Sequence, residues 1–169
     1  WLEYLIDRFG SHIQIILNGI SMGSATVLMM SGNSKLPANV KFTIADCGYT
    51  SAWEEAKHVY RKIFKTNGLL VLQSMDFYIQ KAASYSLKQA SPIEQVKHAM
   101  VPILFVHGSQ DTFVPTTMGE ELFENCTSEK ALVIVEGAAH GTSFTTAPEL
   151  YQKHIEAFAE KYVYKVVYS

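Results

Sequence analysis

Residues Ile13-Gln14-Ile15-Ile16-Leu17 form an apolar run, and Asn18-Gly19-Ile20-Ser21-Met22-Gly23-Ser24 follows it directly. This G-x-S-x-G pattern is the strongest constraint on the fold. A buried strand must turn sharply into a helix, with Ser21 held at the tip of the turn. The small and apolar residues from Ser21 to Met30 suit a buried helix, which Gly32-Asn33 closes. Ser21 is therefore a candidate nucleophile. Its rival role is an ordinary helix N-cap. Gly19 and Gly23 favour the nucleophile, because a tight turn and close helix packing both call for glycine.

The rest of the chain repeats the strand-helix alternation. Val40–Asp46, Pro102–Gly108 and Leu132–Glu136 read as further strands. Trp1–Phe9, Pro115–Asn125 and Pro148–Tyr162 read as helices. The tail from Tyr162 to Tyr168 alternates like a short strand. Residues 50–98 contain no strand pattern and form a helical lid or cap insertion. Within it Trp53, Tyr60, Phe64, Phe77 and Tyr78 are expected mainly as helix core. Alternating elements of this kind predict an α/β three-layer sandwich with a mainly parallel sheet. Residues 1–169 make one domain, and the insertion lies inside it.

Composition excludes several classes. A net charge of −2 supplies no electrostatic footprint for nucleic acid. No apolar run approaches the roughly 20 residues that span a bilayer. Cys47 and Cys126 lack metal-ligand spacing and read as reduced, buried thiols. The cytoplasm is the expected compartment, with a signal or membrane anchor upstream of Trp1 left open. Neither a metal nor an organic cofactor is implied.

A serine hydroxyl needs a base, and the base needs a group to orient it. In an open α/β sheet, active groups gather where strands end. Asp111 follows the third strand in His107-Gly108-Ser109-Gln110-Asp111, and His140 follows the fourth in Gly137-Ala138-Ala139-His140. Asp46 also ends a strand and is the main rival to Asp111. It is assigned instead to capping the first insertion helix or binding nearby backbone N–H groups. His12 sits at the wrong end of a strand, His58 and His154 fall within helices, and His98 lies near a helix end. His107 is expected to pack and hydrogen-bond near the site. His140 is thus the expected base, Asp111 its orienting acid and Ser21 the nucleophile. Phe113 and Tyr49 are candidates for a substrate pocket.

The order Ser21…Asp111…His140 resembles that of the α/β-hydrolases. Asp46-Cys47-Gly48-Tyr49-Thr50-Ser51, Ser91-Pro92-Ile93 and Val114-Pro115 extend the resemblance across most of the chain. The chain is most similar to the C-terminal part of bacterial esterase- and peptidase-like members. The resemblance implies a serine hydrolase acting on a small acyl substrate through an acyl-enzyme. A carboxylic ester is expected first and a peptide bond second. A non-catalytic binding module is the alternative from another class. The backbone N–H of Met22 is the expected oxyanion donor. Members of that superfamily carry further strands before the elbow strand, and half of the oxyanion hole with them. The edge at Ile13–Leu17 is therefore expected to be covered, by a second copy or by an N-terminal half.

Overall fold

The computed structural model describes residues 1–163. The alternating tail from Tyr162 to Tyr168 lies mostly outside them. Four strands, β1 (Ile15–Ile20), β2 (Val40–Asp46), β3 (Ile103–Gly108) and β4 (Lys130–Val135), form one parallel sheet in the order β1-β2-β3-β4. The helices are α1 (Leu2–Phe9), α2 (Met22–Ser31), α3 (Ala52–Phe64), α4 (Leu69–Ala83), α5 (Pro92–Val96), α6 (Thr116–Asn125), α7 (Ser143–Thr146) and α8 (Pro148–Tyr162).

The layers follow from connection handedness. Parallel crossovers are right-handed, so strands added in one direction put every crossover helix on the same face. Leu28 of α2, Val96 of α5 and Leu122 of α6 accordingly pack together on Ala45, Ile103 and Phe105. The chain reaches the opposite face only after β4. There Tyr151, Ile155 and Phe158 of α8 pack on Phe42, Ile44, Leu104 and Val106. Alternate residues of β3 thus feed two cores, which explains why all six of its residues are buried.

The elbow strand differs from the expected one. It begins at Ile15 and runs through Ile20, because Gly19 and Ile20 pair with Ala45 and Asp46. It is also an edge strand. Among the described residues only β2 flanks it, and Ile16 and Ile20 are 40% and 50% exposed. β4 starts two residues earlier than its apolar run, since Lys130 and Ala131 already pair with Ile103 and Leu104.

The segment between β2 and β3 is helical, as expected, but most of its aromatic residues are not core. Phe64, Phe77 and Tyr78 are exposed, and Leu72 is the one buried residue of α4. Among the described elements α4 packs mainly against α3, so its remaining surface stays open. Both cysteines are free and buried.

Candidate active site

The elbow is built by backbone constraint. Ser21 sits at φ 56° and ψ −115° between β1 and α2, outside the regions that L-residues favour. Its N–H donates to the Asp46 carbonyl at 2.9 Å, and its own carbonyl accepts from Ala25 at 3.0 Å. A side chain at Gly19 would put its Cβ 2.2 Å from the Gly23 carbonyl oxygen. Glycine is obligatory there. Gly23 is different, since a Cβ on it would meet nothing within 4 Å. The expectation that both glycines are needed is corrected: Gly23 contributes only its backbone.

The loops after β3 and β4 are tied to one another. Gln110 N–H donates to the Ala138 carbonyl, and Gly137 N–H donates to Ser109 Oγ, both at 2.9 Å. This stitching sets Asp111 against His140. Asp111 Oδ1 accepts from the backbone N–H groups of Phe113 and Val114, each at 2.9 Å. Asp111 Oδ2 lies 2.7 Å from His140 Nδ1. His140 Nε2 lies 2.8 Å from Ser21 Oγ. A carboxylate only accepts, so Nδ1 carries the imidazole proton. Nε2 then presents its lone pair to the Ser21 hydroxyl. The three residues form one continuous hydrogen-bonded line, from a fully buried carboxylate to an imidazole 25% exposed. Phe113 packs its ring 4.9 Å from the His140 ring. Tyr49 lines two cavities, one beside α2 that includes Met22 and one between α3 and α4. Met22 opens α2, so its N–H has no acceptor within the helix.

Asp46 does not cap α3. Ser51 does, its Oγ accepting from Glu54 N–H at 3.1 Å. Asp46 Oδ1 instead accepts from Ser143 Oγ at 2.9 Å. Tyr151 also hydrogen-bonds the Asp46 carboxyl, and burial raises its pKa. Asp46 is thus committed to structure beneath the site. His107 is 1% exposed and donates from Nε2 to the Val114 carbonyl at 3.0 Å, as its expected packing role requires. The same nitrogen lies 3.4 Å from Asp111 Oδ2.

Cys47 Sγ lies close to the Asp111 carboxylate and the His140 ring, their ligand atoms all within 4.8 Å of one another. Burial, then the neighbouring Asp46 charge, pushes the Cys47 thiol up to about 12. At neutral pH the thiol stays protonated, which does not suit a nucleophile.

Glu55 escaped the sequence reading. It lies in the first turn of α3, where an acid normally serves the helix dipole. Here it is buried, and burial is the main cause that raises it to about 7; His140 and Lys62 lower it, and Asp111 raises it further. Unfolding returns it to the ordinary 4.5. Between these values the native chain binds more protons than the unfolded one. Stability from this group is therefore full below pH 4.5 and lost as pH rises through 7. A shift of this size is worth about 3 kcal/mol. Urea denaturation at pH 5 and pH 8 should show wild type losing about 2 kcal/mol relative to Glu55→Gln, since part of the shift lies below pH 5. A constant difference between the two proteins would contradict the raised carboxyl.

Sheet, helix layers and site together define an α/β-hydrolase fold. Solved structures of that fold agree. An acylaminoacyl peptidase from Pyrococcus horikoshii superposes with a TM-score of 0.67 at 17% identity, covering 99% of this chain and 28% of that one. An esterase from Pyrococcus furiosus gives 0.67 at 14% identity, covering 96% and 60%. The esterase domain of a Rhodothermus marinus protein gives 0.65 at 18%, covering 95% and 66%. At these identities the likeness establishes the fold alone.

Residues 15–142 match the model of the FSH1 serine hydrolase family, and the chain belongs to that family. Among curated relatives, uncharacterized YqkD of Bacillus subtilis is 28% identical over 144 residues, covering 85% of this chain and 47% of YqkD. The lysophosphatidylserine lipase ABHD12 of Danio rerio is 28% identical over 90 residues, covering 53% and 22%. The chain thus spans about half or less of the length of these relatives.

Proposed function

We propose that this chain carries the catalytic residues of a serine esterase, with Ser21 as nucleophile, His140 as base and Asp111 as orienting acid. The reading rests on one observation above all, the unbroken hydrogen-bonded line from Asp111 Oδ2 through His140 to Ser21 Oγ. Ser21 Oγ attacks the substrate carbonyl carbon while His140 Nε2 takes its proton. The Asp111 carboxylate stabilises the imidazolium that results. The oxyanion receives the Met22 N–H, aided by the positive end of α2. Collapse of the tetrahedral intermediate breaks the ester C–O bond. His140 returns its proton to the departing alkoxide, leaving an acyl-Ser21. Water, deprotonated by His140, then attacks the acyl carbon; the second tetrahedral intermediate breaks its bond to Ser21 Oγ, which takes the proton back from His140, and the acid leaves. Tyr49 and Phe113 flank this centre and form part of the acyl-binding surface.

An ester is the preferred bond. Its alkoxide leaves more readily than the amide anion that a peptide bond would release. A fluorophosphonate probe tests the reading, because it captures an activated serine without needing turnover. Mass spectrometry should find the adduct on the peptide containing Ser21, and Ser21→Ala should abolish it. An adduct on another serine, or none on the native protein, would overturn the assignment.

A further inference from the structure

The outer face of α4 is apolar, and nothing among the described residues covers it. Each residue of a helix turns about 100° from the last. Leu72, Asp76 and Ile79 therefore point one way, and they are the buried and half-buried positions of α4. Leu70, Val71, Phe77 and Tyr78 point the other way and are 79%, 55%, 52% and 69% exposed. Leu70, Phe77 and Tyr78 adjoin in a shallow surface hollow, and the Phe77 and Tyr78 rings meet edge to face at 5.8 Å. Ser74 lies among them, but its hydroxyl turns back to the Leu70 carbonyl at 2.9 Å. Large apolar side chains gathered on one open face mark a contact surface.

Charge indicates what that surface meets. Between Ala56 and Ser91 stand six lysines and arginines and a single acid, although acids outnumber these cations over the whole sequence. The single acid, Asp76, is half-buried and accepts from Leu87 N–H at 2.6 Å. Arg61 and Lys65 are exposed at the end of α3, just before α4 begins. Lys81 lies near the other end of α4, its Nζ 4.5 Å from the centre of the Phe77 ring. Among the described residues none of these three makes an ion pair. Cations thus bracket the apolar face. Their long side chains can rest on apolar surface while the charged tips reach anionic headgroups.

We infer that α4 docks this protein on an anionic lipid surface. Leu70, Val71, Phe77 and Tyr78 enter the headgroup layer, while Arg61, Lys65 and Lys81 meet the lipid phosphates. Lipid fits this face better than a protein does. Protein interfaces are depleted in lysine, whereas a headgroup layer accepts a single convex helix with a basic rim. Lys62 of α3 donates to the Thr112 carbonyl at 2.7 Å, so the helix that carries α4 is fastened to the loop bearing Asp111. Docking of this kind does not require Ser21 to be a nucleophile.

Vesicle flotation of the full chain tests this. The protein should float with vesicles of phosphatidylcholine and phosphatidylglycerol, and only weakly with phosphatidylcholine alone. High salt should reduce that preference. Leu70→Ser combined with Phe77→Ser should lower partitioning about ten-fold or more. Arg61→Gln combined with Lys65→Gln should narrow the gap between anionic and neutral vesicles. All four positions are exposed, so thermal melts should match wild type. Tyr78→Trp supplies a second measurement should a paired variant fold poorly. Its emission should move to shorter wavelength on adding anionic vesicles, beyond any change in wild type. Absence of flotation with anionic vesicles, equal flotation of the Leu70→Ser/Phe77→Ser variant, or an unmoved Tyr78→Trp emission overturns the docking surface. Gel filtration adds one further overturning result: a dimer that the same pair dissolves, in a protein that does not float, makes α4 the seat of a second copy.

Discussion

Under the proposed serine-esterase reading, Asp111→Asn is expected to lower kcat/KM for an activated ester by about 10⁴ while the protein stays folded. The expectation follows from the four groups around the carboxylate. Oδ1 faces two backbone donors, the N–H groups of Phe113 and Val114. Oδ2 faces His140 Nδ1, with His107 Nε2 at 3.4 Å. An asparagine has one acceptor end and one donor end. Turning its NH₂ toward Oδ1's position sets it against two fixed N–H groups. The amide oxygen therefore takes that position, and the NH₂ faces His140. The imidazole responds by moving its proton from Nδ1 to Nε2. Ser21 then meets a donor instead of a lone pair, and the base is lost without displacement of a heavy atom. Steady-state kinetics together with a thermal melt checks this. A variant within ten-fold of wild type would remove Asp111 from the role of orienting acid.

The sequence exposed these three residues because each follows an apolar run that ends at the same edge of the sheet. Period and order were enough to place Ser21, Asp111 and His140 on neighbouring loops. The choice between Asp46 and Asp111 was harder, since both end strands. What separates them is partners distant in the chain. Ser143 and Tyr151 occupy Asp46, and neither carries a local signal. Glu55 was hidden for a different reason. It looks like its neighbour Glu54, a solvated acid in a first turn. One residue of helix is a rotation of about 100°, which sends one carboxyl to solvent and the other inward. Where the inward one arrives depends on how α4 lies across α3, and no local pattern encodes that. The exposed aromatic residues of α4 show the same limit. Periodicity groups residues on a face, but it does not say what covers the face. The strand boundaries slipped for a related reason. Gly19 and Lys130 are poor strand formers that pair because their neighbours hold them in register.

The two glycines of the motif should behave as opposites. At Gly19, a methyl group would lie 2.2 Å from the Gly23 carbonyl oxygen, 2.3 Å from its carbon and 2.6 Å from Ser24 nitrogen. All three are backbone atoms of the first turn of α2, so no side-chain rotation relieves the clash. Either α2 withdraws from β1 or the turn at Ser21 opens. Withdrawal unpacks Leu28 from Ala45 and Phe105. Opening releases the Ser21 N–H from the Asp46 carbonyl and carries Oγ away from His140 Nε2. Gly19→Ala should therefore cost about 3 kcal/mol or more, in the range of severe core disruptions. It should also abolish phosphonate labelling in whatever fraction stays folded. Gly23→Ala adds a methyl group to open space on a helix. It should label at the wild-type rate and gain up to about 1 kcal/mol from helix propensity. Denaturant melts and labelling of both variants make the comparison. Equal damage from the two substitutions would mean that flexibility at the turn, rather than the approach of α2 to β1, is what the motif supplies.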